Sequence, residues 1–143
     1  HKGAVERAIE IAKAAGAKRA VLLPVSAPFH SELMAPASLE MKDALSTIPI
    51  QEPFIPLVSN VKALAVTLPD EIRSLLVEQV TGVVRWRESV EWMARNGVTE
   101  MWEIGAGRAL SGMVRRINRS ISCVSISKPE EVKTAIISQS EGM

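Results

Sequence analysis

A chain of 143 residues, 47% apolar and 23% charged, has the composition of an ordinary globular protein and is long enough for one hydrophobic core. The net charge of +1 excludes bulk electrostatic attraction to nucleic acid or membrane, and no apolar run approaches the roughly 20 residues of a membrane span. The single cysteine, Cys123, excludes an internal disulfide and fits a reducing, cytoplasmic setting. With no Tyr and two Phe, the core must come from Val, Ile, Leu, Met, Ala and three Trp.

Residues 2–15 predict a helix, because Val5, Ala8, Ile9, Ala12 and Ala15 recur at helical spacing and Gly16 supplies a left-handed stop. Ala20 to Val25 predicts a buried strand that ends where Pro24 interrupts pairing. A loop then delivers His30, and Pro36 opens a helix with Ala37, Met41, Leu45 and Ile48 on one face. Pro49, Pro53 and Pro56 punctuate an extended crossing into a strand at Leu57-Val58-Ser59. Thr67, Pro69, Asp70 and Glu71 form a helix-start signal for a stripe of Ile72, Leu75, Leu76 and Val80, closed by Gly82. Trp86, Val90 and Met93 share the face of a further helix that stops at Gly97, and Val98 to Ile104 reads as a strand. Gly105-Ala106-Gly107 turns the chain into a helix carrying Leu110, Met113, Val114 and Ile117, with Arg115, Arg116 and Arg119 at its negative end. Ile121 to Ile126 is the last strand, and Ser127 with Glu130 and Glu131 opens the last helix. Strands alternating with helices at this spacing predict an α/β architecture with a largely parallel sheet.

Few residues offer chemistry. His30 is the only internal histidine, and imidazole is the side chain that can take and return a proton near neutral pH. Two readings stand on the residues alone: a proton-transfer group on a loop after a strand, or a hydrogen-bonded surface histidine. Gly105-Ala106-Gly107 before a helix could cradle a phosphate, but it lacks the third glycine and downstream acid of a dinucleotide fingerprint and reads better as a tight turn. Thr99, Glu100 and Glu103 have no His or Asp at ligand spacing, so no metal is expected. Met34 reads as core filler.

The run Val25-Ser26-Ala27-Pro28-Phe29-His30-Ser31-Glu32-Leu33-Met34 resembles the active-site histidine segment of malonyl-CoA:acyl-carrier-protein transacylases. The resemblance extends upstream to His1–Arg7 and Gly16–Ala20, and downstream, in the family's order, to Leu57–Val61, Val84-Arg85-Trp86, Ser89–Met93 and Glu103–Leu110. It rests on several stretches agreeing in order and spacing. The family's nucleophile is a serine in a G-x-S-x-G elbow. No such elbow occurs here, nor do the family's oxyanion glutamine segment and substrate-carboxylate arginine, so the chain looks like a C-terminal portion of a transacylase.

The resemblance implies a division at residue 26. Residues 1–26 would be the last helix and strand of a small ferredoxin-like subdomain, and 27–143 the C-terminal part of a large α/β-hydrolase-like subdomain. It implies transfer of malonyl from coenzyme A to the pantetheine thiol of acyl carrier protein in fatty-acid synthesis, with no other cofactor and with His30 as general base and acid. A backbone carbonyl, at the position aligned with Arg85, would hold the second ring nitrogen; a helix-start residue in solvent is the other reading of Arg85. Phe29 resembles the residue seen where malonyl units are taken and, with Ser59 and Asn60, is expected near the substrate. Loop packing is the other reading of Phe29, and an ordinary turn that of Ser59 and Asn60.

Lys18, Arg19, Arg115 and Arg116 are expected to meet the acidic carrier protein, against the alternatives of a solvated turn and helix-dipole complementarity. The expected partners are acyl carrier protein and malonyl-CoA, together with the N-terminal part of the same enzyme or a second copy, because the strand edges here lack partners. The isolated chain is expected to be inactive. The competing assignments are an acyltransferase module of a polyketide synthase and a non-catalytic interaction fragment of the same fold.

Overall fold

The computed structural model describes residues 1–140, so the last three residues of the expected larger subdomain lie outside the described part. Helix and sheet are mixed, in the order α1 (Lys2–Ala14), α2 (Ala35–Ser46), β1 (Leu57–Val58), β2 (Ala65–Val66), α3 (Pro69–Glu78), α4 (Trp86–Arg95), β3 (Glu100–Ile104), α5 (Ala109–Ile117), β4 (Ser122–Ile126) and α6 (Pro129–Ser140). A single 3₁₀ turn, Glu32–Met34, leads into α2.

The helix ends follow the glycines. After α1, Gly16 takes φ +92°, the Gly16 N–H donates to Lys13 O and the Ala17 N–H to Ala12 O. This paired closure satisfies two carbonyls that a helix end leaves open. Gly97 (φ +88°) repeats the device after α4, with Gly97 N–H on Ala94 O and Val98 N–H on Met93 O. At the start of α6, the Glu131 carboxylate reaches back to the N–H groups of Ser127 and Lys128 and to the Ser127 hydroxyl. These bonds hold the Glu131 carboxyl below the usual carboxylate range. The start of α3 departs from expectation: Leu68, not Thr67, is its N-cap residue, and no side chain caps it.

Two cores form. In one, Val66, Ile72 and Leu75 are buried with Ile50, Val61 and Leu76 against them. Helix α2 lies along α3, tied by the Ser38 hydroxyl donating to Val77 O (3.2 Å) and by the Arg73 guanidinium on Leu45 O. Met41 of α2 faces solvent, and the helix ends at Ser46, before Ile48, which is also exposed, so the expected apolar face is only partly used. The other core centres on Val90, Val114 and Ile121, all at most 2% exposed, with Trp86, Met93 and Met101 packed around them.

The expected sheet is corrected in two places. Strands β3 and β4 pair in parallel, Glu100 with Ser122 through Ile104 with Ile126, and α5 makes the crossover. Strand β1, however, pairs antiparallel with β2 in a separate two-stranded hairpin, not within one parallel sheet. Residues 20–25 form no strand: Leu23 is 72% exposed, and Val25 N–H bonds only within its own turn, to Leu23 O. An apolar run becomes a strand only where a neighbouring backbone supplies the ladder, and none lies beside it among the described residues. Instead, Val21, Leu22, Leu23 and Val25 line an open cleft of about 730 Å³ against Val5 of α1.

Candidate active site

His30 stands at the seam between the loose N-terminal segment and the first core. Its backbone adopts φ +58°, a left-handed conformation uncommon for any residue with a Cβ. Such a conformation persists only where surrounding bonds over-determine it. Here the Ser31 hydroxyl donates to Pro28 O (2.8 Å), the Met34 N–H donates to Ser31 O (2.9 Å), and the His30 N–H donates to Val80 O (3.3 Å).

The ring is held too. His30 Nδ1 lies 2.9 Å from Gln79 O. A carbonyl only accepts, so Nδ1 carries the proton and Nε2 is left as the nitrogen able to take another. Both acceptors, Gln79 O and Val80 O, belong to the end of α3, where helix geometry leaves carbonyls without intrahelical donors. The neighbouring carbonyl is already used: Glu78 O accepts from the Thr81 and Gly82 N–H groups. The helix end thus offers two free acceptors side by side, and His30 takes both.

This corrects the expected partner. The carbonyl facing His30 is that of Gln79, while Arg85 O accepts the Ser89 N–H and the Ser89 hydroxyl, each at 2.9 Å, inside the first turn of α4. Arg85 acts with its side chain instead. Its guanidinium donates to Glu88 (2.9 and 3.1 Å) and to Lys62 O (3.2 Å), and the Glu88 bonds hold its protonated form more firmly. No local signal marks Gln79, since any residue has a carbonyl.

The other expected residues divide. Asn60 joins the histidine's surroundings: its Nδ2 donates to Gln79 Oε1 (3.4 Å) and its carbonyl accepts the Arg85 N–H (2.9 Å). Ser59 is buried, with its hydroxyl accepting the Lys62 N–H (3.3 Å) inside the β1–β2 loop. Phe29, beside the histidine, is 54% exposed. Lys18 and Arg19 are exposed just after α1, and Arg115 and Arg116 occupy the last turn of α5. Arg116 Nε donates to Gly112 O (3.0 Å), whereas Arg115 lines a shallow cleft of about 400 Å³ with Arg108 and Cys123. Among the described residues, no hydrogen bond or ion pair joins either basic pair to His30.

Sequence reasoning missed one residue with a clear job. The Glu103 carboxylate accepts from the Ser111 hydroxyl (2.6 Å) and from the N–H groups of Ser111 (2.8 Å) and Leu110 (3.0 Å). It caps α5 from the preceding strand, at the positive end of the helix. These bonds, the Ser111 hydroxyl foremost, hold its carboxyl below the usual range. A cap from another element has no fixed sequence offset, which is why no local pattern announces it.

Among the described residues no Ser or Cys side chain bonds to His30, and no group of three or more His, Cys, Asp or Glu is placed to hold a metal. Burial pushes the Cys123 thiol up more than the nearby Arg115 cation pulls it down, so it is a poor thiolate at neutral pH. No helix among them is long and apolar enough to cross a membrane.

The chain thus combines mixed helix and sheet with a histidine held at Nδ1 by a carbonyl and bonded to no Ser or Cys side chain among the described residues. Its relatives are acyltransferases. The chain is 44% identical to the malonyl CoA-acyl carrier protein transacylase of Bacillus subtilis over 92% of its own length and 42% of that protein's. It superposes on the acyl-carrier-protein-S-malonyltransferase of Bartonella henselae with a TM-score of 0.88 and 52% identity, over 94% of this chain and 43% of that one. It matches equally well, at TM-score 0.88 and 41% identity, a malonyl-transacylase in complex with its type II polyketide synthase acyl-carrier protein, over 94% of this chain and 43% of that one. No protein-family model matches. The chain's homologues are malonyl-CoA:acyl carrier protein transacylases, and it spans less than half their length.

Proposed function

We propose that the chain is the C-terminal portion of a malonyl-CoA:acyl carrier protein transacylase of fatty-acid synthesis. The observation that carries the reading is the His30 Nδ1 contact with Gln79 O at the end of α3, in a chain homologous to these enzymes. His30 Nε2 takes the proton of a serine outside this sequence as that serine attacks the malonyl thioester. The imidazolium then returns the proton to the leaving thiolate of coenzyme A. In the second half the base deprotonates the pantetheine thiol of the carrier protein, malonyl passes from the serine to that thiol, and the imidazolium returns the proton to the departing serine oxygen. The only substrates are malonyl-CoA and the carrier protein; no further cofactor enters.

Residues 1–26 end the ferredoxin-like subdomain on this reading, and the remainder continues the α/β-hydrolase-like one. The uncovered Val21–Val25 segment then receives polypeptide from the rest of the enzyme, since exposed apolar patches of this kind mark contact surfaces. Phe29 stands at the mouth of the malonyl site and limits room beside the substrate's α-carbon. Lys18, Arg19, Arg115 and Arg116 receive the acidic carrier protein, acting on association rate and its salt dependence. Cytoplasmic localisation accords with the single thiol. The isolated chain, lacking the serine, is inactive.

In the natural-length enzyme, His30→Ala should lower the rate of malonyl-enzyme formation by about 10²–10⁴-fold, read as the burst of coenzyme A release. An unchanged burst contradicts the role. The similarity to a transacylase complexed with a polyketide carrier protein favours one second reading, an acyltransferase serving polyketide synthesis. A preference of kcat/KM for a polyketide-type over a fatty-acid-type carrier protein would select it.

A further inference from the structure

The acceptors of His30 are themselves braced from a second loop, and we infer that Asn60 is a positioning residue for this histidine. The kinetic part of the inference rests on the proposed role of His30 as base; the spectroscopic part does not.

Residues 79–85 connect α3 to α4 and carry both carbonyls that hold His30. The connector's own bonds fix only its beginning, where Thr81 and Gly82 fold back on Glu78 O. Asn60 grips it at two further points. Its carbonyl takes the Arg85 N–H at the far end, and its side-chain amide donates to Gln79 Oε1 at the near end. Gln79 is therefore bifunctional, bonding Asn60 through its side chain and His30 through its main chain.

The loop that offers Asn60 is well placed to act as a brace, because it is closed by its own bonds. Ser59 N–H donates to Leu64 O (3.0 Å), Ala63 N–H to Ser59 O (2.8 Å) and Lys62 N–H to Ser59 Oγ. The Arg85 guanidinium adds a bond to Lys62 O. Loop and connector also touch: a Cβ placed on Gly82 would stand 3.3 Å from Val61 Cγ2 and 2.9 Å from Glu78 O. The chain of contacts runs from a rigid loop, through one amide pair, to the carbonyl that fixes the imidazole tautomer.

Substitution separates the two grips. Asn60→Ala keeps the carbonyl bond to Arg85 and deletes only the link to Gln79. Asn60→Asp restores that link, because the Gln79 amide can rotate and donate its Nε2–H to the new carboxylate. The experiment uses the natural-length protein labelled with ¹⁵N-histidine and follows solvent exchange of the His30 Nδ1 proton by NMR, alongside malonyl loading. Asn60→Ala is expected to speed that exchange about tenfold and to lower the loading kcat by about tenfold with KM unchanged, the size of one lost hydrogen bond. Gln79→Ala should match it, the double variant should add nothing, and Asn60→Asp should return both readouts to near wild type. Faster exchange with unchanged kcat upholds the brace and removes His30 from the chemistry. Wild-type exchange in Asn60→Ala or, should that variant not fold, in Gln79→Ala overturns the inference, as does failure of Asn60→Asp to rescue.

Discussion

Residues 1–26 contain no buried side chain, whereas residues 86–126 enclose Val90, Val114, Ile121 and Ile126 almost completely. Both regions have the same ingredients: an amphipathic helix stopped by a left-handed glycine, then an apolar stretch. The second region brings its own partners, since β3 and β4 pair and α4 and α5 close over them. The first does not: α1 and residues 21–25 line an open cleft, and among the described residues that segment has no strand ladder. Apolar pattern is therefore a demand for a partner, which one region meets internally and the other leaves open. His30 lies just past the open region, so its placement depends on hydrogen bonds to the end of α3 more than on surrounding apolar packing.

The comparison predicts opposite sensitivities to truncation. In the 143-residue chain, Val114→Ala deletes two methyl groups from the tighter core and should lower unfolding stability by about 2 kcal/mol. Leu23→Ala, in the open segment, should stay within about 0.5 kcal/mol. Chemical denaturation of the two variants measures both. Equal losses would mean that residues 20–25 are packed in solution and that the contrast between the regions is false.

A smaller effect sharpens the account of the ordered region. The Glu103 carboxyl is held below its ordinary range in the folded chain, so its contribution is fully present above the unfolded value of about 4.3 and is lost as pH falls through the lower folded value. Glu103→Gln should therefore melt at a lower temperature than wild type at pH 7, with the gap closing on the acid side of pH 4. Melting curves across that window decide it. A gap that persists unchanged at the acid end means that the cap acts through shape and not charge.

How much of this could be read beforehand depends on where each determinant lies. The stops at Gly16 and Gly97, the stripes of α3 and α4, and the strands β3 and β4 are local patterns, and all are found close to where the residues place them. Strand β2, two residues long, has no period to detect. Residues 20–25 carry a valid strand pattern without a ladder partner among the described residues. At the site, the resemblance of its segment points to His30 but not to its acceptor: the choice of Gln79 over Arg85 depends on which carbonyls the end of α3 leaves unused. Asn60 was singled out for nearness to substrate, while its side chain is bonded to the residue that holds the histidine.

The central claim is that the end of α3 fixes His30 with its proton on Nδ1 and leaves Nε2 free. The most direct test is the ¹⁵N chemical shifts of the two His30 ring nitrogens in the natural-length protein, assigned against His30→Gln, at a pH where the ring is neutral. A protonated-type signal at Nδ1, coupled to a slowly exchanging proton, with a bare-type signal at Nε2, is the predicted result. A proton resident on Nε2, or shifts averaged between the tautomers, would contradict it.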